Sequence, residues 1–393
     1  MRQLLSTRAG RNVAGVVGLL AVLTIVGIVL LWPDGEQAVE AAPAATSDAL
    51  QAEVTTIRQV ACQAPEAMDC TQVSAELLSG PDEGSTATFS TGNTVSSVDV
   101  SVGDHVRLAK NQIDPNASVQ GDPYTFLDFE REGPLIWLAI AFGVVVILFG
   151  RLRGAMSLLG LGASLVVVFA FVVPAMLSGT SPVVVAAVGA SAVMLLTIAL
   201  AHGLGAKSMA AILGTTVSLA VTIGLALLFS KLAYLTGFGS EESSLVLIGN
   251  NSISLRGLVI AGIVIGALGV LDDVTVSQSS VVMALRRSNP GLRFRELFRE
   301  ALDVGQDHVA ATVNTLVLAY VGASLPILLI FSISGVAVAD ALNAEAVAEQ
   351  IVGMLVGSIG LIAAVPITTA LAGMLAVRLP PEALGRAEPV HAH

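Results

Sequence analysis

Long uncharged stretches of apolar residues alternate with short polar segments along most of this chain. One stretch covers residues 13–31, and others recur between residues 134 and 377 after a long polar interval. A bilayer core about 30 Å thick needs about 20 apolar helical residues to cross it. The pattern therefore predicts an all-α polytopic membrane protein with about eight transmembrane helices.

The predicted helices are numbered here as the first to the eighth apolar segment. Pro182 opens the fourth segment, where its missing N–H costs nothing, because the first turn of a helix leaves its N–H groups unbonded. The segments are residues 13–31, 134–150, 155–177, 182–201, 208–230, a sixth that begins near residue 257, 309–331 and 351–377.

The polar interval has a different pattern, in which β-branched residues alternate with polar ones. Residues 86–90, 95–102 and 105–108 are predicted strands, and Gly103-Asp104 is a turn signal. We therefore expect a small β-rich extracytoplasmic domain. The predicted organisation is a cytoplasmic tail and anchor helix at 1–32, this domain at 33–133, a seven-helix membrane domain at 134–378 and a cytoplasmic tail at 379–393.

Charges in the loops predict the orientation. Basic residues follow alternate segments, at Arg151, at Lys207, in an arginine cluster at residues 286–299 and at Arg378. Loops on the other side are mainly acidic, for example at Glu345. Because cytoplasmic loops carry an excess of Lys and Arg, eight helices place every basic loop inside. The prediction is a multi-pass protein of the plasma (cell) membrane with both termini cytoplasmic.

The first segment is predicted to be an uncleaved anchor. It follows Arg2, Arg8 and Arg11, and it is longer than the roughly 7–15 apolar residues of a usual signal peptide. The alanine-rich residues 41–45 leave cleavage open as the alternative.

Composition supports the membrane prediction and excludes other classes. Hydrophobic residues make up 54% of the chain and charged residues 12%, which is about half the usual charged share. The net charge of −11 arises largely from the polar interval and the loops. The chain has no basic patch interleaved with aromatic residues, so nucleic-acid binding has no support.

The two cysteines, Cys62 and Cys70, both lie in the polar interval. If that interval is extracytoplasmic, a disulfide between them is expected, because such compartments are oxidising. Two free thiols are the alternative.

Two adjacent aspartates, Asp272 and Asp273, interrupt the sixth segment. Asp272 would lie roughly 22 Å into a core of roughly 30 Å. A charge at such depth costs about 2.5–3.5 kcal/mol, so it usually faces the bundle interior, water, an ion or a base. Asp273 shares a helical face with Ser277 and Ser280. Alternatively, the helix ends near Leu271 and Asp272 caps a cytoplasmic helix.

A second polar cluster leads into the seventh segment. Asp303, Asp307 and Asn314 fall on one helical face, and His308 is predicted to point elsewhere. Residues 293–302, which precede this cluster, are amphipathic and predict a helix at the inner interface. The alternative for Asp303 and Asp307 is that they are solvent-exposed residues at the membrane interface that pair with nearby arginines.

The sixth and seventh segments could combine their polar residues. If they are antiparallel neighbours, Asp273 and Asn314 lie at similar depth and form a hard-oxygen site for a cation or a proton. Zinc is not expected, because His308 has no cysteine beside it. Gly262, Gly266 and Gly269 are predicted to allow close helix packing.

Residues 153–160 and 207–214 are similar to each other. The second to fifth segments would then be two duplicated hairpins, as in some transporters. Coincidence between small-residue helix starts is the alternative.

Several motifs carry a resemblance to a known family. They are GALGVLDDV at residues 266–274, VGxD at 304–307, TVNTLVLAYVG at 312–322, DFxR at 128–131 and GRLRG at 150–154. With them the chain resembles the YibE/F-like family of bacterial membrane proteins, from about residue 54 to 377. The family pattern has one aspartate where this chain has two, and Asp273 occupies the matching place. It usually has Arg where Gln306 stands, so an Arg pairing with Asp307 is not carried over.

The resemblance implies a multi-pass plasma-membrane protein of poorly defined biochemical role, and it supplies no catalytic residues. The leading hypothesis is a transporter or permease-like protein without a cofactor, not an enzyme. Its partners would be the lipid bilayer, a small cation or proton, and an extracytoplasmic protein. Its cation- or proton-site candidates are Asp272, Asp273, Ser277, Asp303, Asp307 and Asn314.

Two alternatives remain. One is a non-transporting membrane scaffold or assembly factor whose outer domain binds a partner. The other is an intramembrane aspartyl hydrolase that uses Asp273 with Asp303 or Asp307, since two carboxyl groups can share a proton.

Overall fold

A computed structural model describes residues 2–33, 49–60, 70–91, 99–111, 123–239, 246, 253–380 and 384. The described chain is mostly helical, with one small antiparallel sheet. It forms two compact units: Met1–Val39 together with Val146–His393, and Glu40–Val145. The first unit holds the helical bundle, and the second holds the sheet.

The helices are numbered in chain order. A π-helical turn, Val168–Val172, joins α3 to α4. The helices are α1 Arg2–Leu5, α2 Arg8–Leu30, α3 Glu132–Val167, α4 Val173–Leu177, α5 Pro182–His202, α6 Ala206–Leu232, α7 Leu255–Ser288, α8 Phe294–Ala323, α9 Leu325–Ile333, α10 Val338–Asn343 and α11 Glu345–Ala376.

Several of these helices could cross a bilayer. Within the described ranges, six are long and apolar enough, or seven if α8 and α9, which meet at a bend of 55°, form one span. The pattern is that of an integral membrane protein, while the count of about eight spans stays a prediction. The longest candidate, Glu132–Leu177, contains a non-helical residue, Arg151, with φ 52° and ψ −134°. This break lies between the predicted second and third segments.

The centre of the bundle is formed by α6, α7 and α11, which pack against one another. A Cβ added at Gly214 of α6 would collide with the hydroxyl of Thr368 of α11. A Cβ at Gly360 of α11 would likewise collide with the hydroxyl of Thr222 of α6. Each helix thus offers a glycine to a threonine of its antiparallel neighbour, which brings the two backbones close together.

The glycines of α7 behave differently from the prediction. A Cβ at Gly262 or Gly269 would meet nothing within 4 Å, and one at Gly266 would only touch the hydroxyl of Tyr320 at 3.6 Å. The predicted close packing at Gly262 and Gly269 is therefore wrong. The close helix approaches of the bundle occur at other glycines, such as Gly214 and Gly360.

The N-terminal helix α2 packs within the bundle unit. Its first turn is capped by Thr7, whose hydroxyl accepts a hydrogen bond from the N–H of Gly10 at 3.0 Å. Val17 is buried, and Gly27 lies against Val188 of α5. Whether this helix is a retained anchor or a cleaved signal peptide stays a prediction.

The second unit contains a five-stranded antiparallel sheet of order β3-β2-β1-β4-β5. Its inner face is apolar, with Phe89, Val73 and Leu108 fully buried, as the alternation of apolar and polar positions requires. The strands are β1 Leu50–Val60, β2 Cys70–Leu77, β3 Thr86–Thr91, β4 His105–Lys110 and β5 Tyr124–Phe129.

The strands predicted at 86–90 and 105–108 are confirmed as β3 and β4. Of the strand predicted at 95–102, residues 95–98 lie outside the described residues, and the described part, 99–102, contains no strand. Cys62 and the side chain of Cys70 also lie outside the described part, so the disulfide stays a prediction.

Candidate functional site

Helix α7 runs without a break through both aspartates, from Leu255 to Ser288. Ser254 caps its start by accepting a hydrogen bond from the N–H of Gly257 at 3.2 Å. Its last turn holds Arg286 and Arg287, which suit the negative end of the helix dipole. The alternative that this helix ends near residue 271 is therefore wrong, and the aspartates lie in mid-helix.

One face of α7 borders a cavity that it shares with α3 and α5. The cavity has a volume of about 360 Å³. This size falls in the range of small-molecule sites, about 300–1,000 Å³. Most of the lining is aliphatic or glycine. The lining residues that carry a hydroxyl, imidazole or carboxyl group are Ser157, Ser164, Thr197, His202, Asp272 and Asp273.

The Asp272 carboxyl group is half satisfied. The hydroxyl of Thr197, on α5, donates to its Oδ2 at 2.9 Å. The hydroxyl of Thr215, on α6, interacts with the same carboxyl group and also lies 2.6 Å from the hydroxyl of Thr275. The other oxygen, Oδ1, is buried and has no hydrogen-bond partner among the described residues. Leaving a buried polar atom unpaired costs about 1–3 kcal/mol, so Oδ1 is the oxygen that would gain most from a bound proton.

Asp273 points in another direction, as expected for adjacent helical residues. It also borders the cavity, yet its side chain is exposed. His308 of α8 is close enough to interact electrostatically with this carboxylate. Within the described ranges the two form no ion pair within 4 Å. The group that α8 brings toward Asp273 is thus His308. The sequence had predicted that His308 points away from the other site candidates.

The structure does not bring Asn314 to the cavity. Its side chain is exposed on α8, and it is not among the cavity-lining residues. None of the hydrogen bonds found in the described part of the chain involves it. The proposed pairing of Asp273 with Asn314 therefore has no support from this arrangement.

The remaining candidates also lie apart from the cavity. The hydroxyl of Ser277 donates to the backbone oxygen of Val274 at 3.0 Å. Asp303 and Asp307 are exposed on α8 and do not line the cavity. Among the described residues, no hydrogen bond joins Asp273 to either of them. The paired-carboxyl geometry of an aspartyl hydrolase is not found there.

Residues 293–302 do not form a separate interfacial helix. They belong to the continuous helix α8. The rings of Phe294 and Phe298 lie 6.0 Å apart, and Leu297 and Ala301 are fully buried. The apolar face is used for packing within the bundle, which explains the amphipathic pattern.

Hydrogen bonds from Gln278 join α7 to α8 and α11, on the C-terminal side of the aspartates in α7. Nε2 of the buried Gln278 donates to the backbone oxygen of Ala301 and to Oγ1 of Thr369, both at 2.7 Å. Gly305 allows this approach, because a Cβ there would lie 2.6 Å from Cγ1 of Val365 and 2.7 Å from Oε1 of Gln278. The sequence signals were an amide within an apolar helix and the glycine of the VGxD motif.

Thr197 is a second functional residue that was not among the predicted site residues. A threonine in an apolar helix commonly bonds a carbonyl of the preceding turn, and its hydroxyl oxygen does lie 2.9 Å from the backbone oxygen of Val193. Its position opposite Asp272 depends on how α5 is rotated against α7. The only sign of this role in the sequence was the presence of a threonine within the fourth predicted segment.

Comparison with known proteins places most of the helical part in a family. The family model described as YibE/F-like protein matches residues 138–378, which is more than half of the chain. This stretch includes every residue that lines the cavity. No curated protein and no solved structure matches the chain.

Proposed function

This chain belongs to the YibE/F-like family, and from that premise we propose that it is a permease-like membrane protein whose Asp272 carboxyl group binds a cation or a proton. One observation carries the proposal. Oδ1 of Asp272 is buried without a partner among the described residues, at a cavity between apolar helices. A carboxyl group kept only for packing would be expected to have both oxygens paired, because an unpaired one is costly.

The surroundings suit reversible binding. Thr197 holds Oδ2 at 2.9 Å and so fixes the orientation of the carboxyl group. Oδ1 is left unpaired and can take up a proton, and an ammonium-type or metal cation in the cavity can pair with the carboxyl group that borders it. Either one neutralises the charge. Asp273, with His308 nearby, provides a second titratable pair one residue away. Binding and release at Asp272 would then change the net charge inside the bundle, which is how intramembrane acids couple ion movement to transport.

The test is flux through the full-length protein in proteoliposomes. A membrane potential is imposed with potassium and valinomycin, and proton entry is followed with a pH-sensitive dye. Sodium uptake is measured in parallel. We expect Asp272→Asn to reduce the flux at least tenfold, because the amide keeps the shape and the Thr197 bond but cannot ionise.

Asp303→Asn is the matched control, since Asp303 is exposed and outside the cavity. It should keep the wild-type rate. If Asp272→Asn carries the same flux as wild type at equal protein content, the proposal is wrong. If wild type carries no flux above protein-free vesicles, a non-transporting scaffold becomes the better explanation.

A further inference from the structure

We infer that the cavity beside Asp272 binds a small organic cation with an apolar body, such as an arylalkyl ammonium ion, rather than a bare metal ion. The inference rests on the proposed function and names the class of ligand that the site would take. It is carried by the composition of the cavity wall, the position of the Asp272 carboxyl group in that wall and the distribution of charge along the cavity.

A bare metal ion does not fit the wall of the cavity. Mg²⁺ requires six ligands in near-octahedral geometry, and Ca²⁺ requires about six to eight oxygens. The described residues contain no group of three or more His, Cys, Asp or Glu side chains that could hold a metal ion. Of the hydroxyls in the wall, Ser164 donates to the backbone oxygen of Gly160 at 2.8 Å, and Thr197 already serves Asp272.

An apolar ligand body does fit. The cavity of about 360 Å³ is far larger than a dehydrated ion, and such a volume is typical of sites for small organic molecules. Apolar surface removed from water stabilises a complex by about 25 cal/mol per Å². The apolar side chains that supply this surface are Leu161, Leu165, Val168, Val193, Ile265 and Leu268.

The charges along the cavity give the ligand an orientation. Asp272 lines the cavity, and Asp273 adds a second carboxylate beside it. His202 borders the cavity about 7.5 Å further along α5 than Thr197, at 1.5 Å per residue. His202 lies within electrostatic range of Lys207 and Arg153. A cationic group is repelled from that basic region and attracted to Asp272, so the ammonium end should bind at the Asp272 end of the cavity.

Three probes test the contributions of the apolar body and of the positive charge separately. 2-Phenylethylammonium carries both an aromatic body and a charge, 2-phenylethanol keeps the body without the charge, and methylammonium keeps the charge without the body. Binding to the full-length protein in lipid nanodiscs is measured by isothermal titration calorimetry at neutral pH, with empty nanodiscs as the blank. We expect 2-phenylethylammonium to bind at least tenfold more tightly than either of the other probes and than Mg²⁺.

Matched variants locate the binding. Asp272→Asn should weaken 2-phenylethylammonium at least tenfold, because it removes the negative charge. Gly269→Leu should also weaken it, since Gly269 borders the cavity and a side chain there meets no atom within 4 Å of its Cβ. Gly262→Leu is the control: it lies on the same helix with the same open space but outside the cavity wall. It should bind like wild type.

The outcomes distinguish this inference from the proposed function. If 2-phenylethylammonium binds no better than 2-phenylethanol, or if Gly269→Leu and Gly262→Leu bind equally, the ligand class is wrong. A proton flux that still depends on Asp272 would then leave the proposed function standing. If neither probe binding nor ion flux depends on Asp272, both proposals fail.

Discussion

The two aspartates of α7 differ in what surrounds them. Asp272 is held by Thr197 on one oxygen and is buried without a partner among the described residues on the other. Asp273 is exposed and has His308 within electrostatic range. Since adjacent helical residues point about 100° apart, a single helix can bury an oxygen of one carboxyl group and leave the next carboxyl group exposed. The two groups are therefore expected to have separable roles.

A residue-scale prediction concerns the DFxR motif at residues 128–131. Nη1 of Arg131 lies 2.6 Å from Oδ2 of Asp128. The hydrogen bond from Arg131 and that from the backbone N–H of Phe129 hold the pKa of Asp128 below its usual value. Arg131→Gln should raise this pKa toward the ordinary carboxyl value. The measurement is an NMR titration of the ¹³C-labelled Asp128 carboxyl group.

The sign of the stability effect follows from this shift. Because the pKa of Asp128 is lower in the folded state, its contribution is fully present above the ordinary carboxyl pKa and is lost as pH falls through the folded value. Wild type should thus lose more protection against amide exchange at β4 and β5 in acid than Arg131→Gln. Lys110→Gln, which removes the ion pair with Asp82, should leave the Asp128 titration unchanged.

The sequence alone could predict that intramembrane acids exist but not which one has a buried, unpaired carboxyl oxygen. Hydropathy places Asp272 and Asp273 at nearly the same depth. Their difference depends on the rotation of α7, which is set by the packing of many small side chains against α5, α6 and α11. The role of Thr197 could not be predicted for the same reason, since its partner Asp272 is distant in sequence.

At the scale of elements, α7, α8 and α11 are joined where α8 passes close to Gln278. The amide of Gln278 bonds both neighbours, and Gly305 leaves room for it. Interhelical hydrogen bonds in membranes contribute about 0.6–2 kcal/mol each. This contact fixes the position of α8 relative to α7, and with it the approach of His308 to Asp273.

Gly305→Ala is predicted to destabilise the bundle. Its Cβ would lie 2.6 Å from Cγ1 of Val365 and 2.7 Å from Oε1 of Gln278. Overpacking of this kind costs about 1–3 kcal/mol, which should lower the midpoint of SDS-induced unfolding. The control is Gly322→Ala on the same helix, where a Cβ meets nothing within 4 Å. Because Ala favours a helix over Gly by about 1 kcal/mol, that variant should be as stable as wild type or more so.

Apolar periodicity predicted the existence of the helices better than their limits. The interfacial helix expected at residues 293–302 is continuous with the seventh segment, since no Pro interrupts residues 294–323 and the helix passes through Gly305. The seventh segment in turn bends by 55° between α8 and α9, near Pro326. A hydropathy window measures burial potential and not backbone continuity, so these two boundaries could not be predicted from it.

At the scale of the molecule, the surface of the bundle unit matches a lipid environment. Large apolar side chains are exposed on it, and Phe149 of α3 is 95% exposed. Exposed apolar surface of this extent is unfavourable in water but not in a bilayer, where helices satisfy their own backbone groups. The polar groups that remain inside are hydroxyls, Gln278 and the partly buried Asp272 and Glu349. Among the described residues, each of these two carboxyl groups has one buried oxygen without a hydrogen-bond partner.

The central claim is that a cationic ligand can reach residue 272 through the cavity. The most direct measurement is the rate at which the cationic reagent 2-aminoethyl methanethiosulfonate labels Asp272→Cys in reconstituted full-length protein, with wild type as the background for Cys62 and Cys70. The comparison is Leu271→Cys, because Leu271 is 1% exposed and does not border the cavity. We predict that Asp272→Cys reacts at least tenfold faster and that adding Gly269→Leu slows it. Equal labelling of positions 271 and 272 would contradict the account.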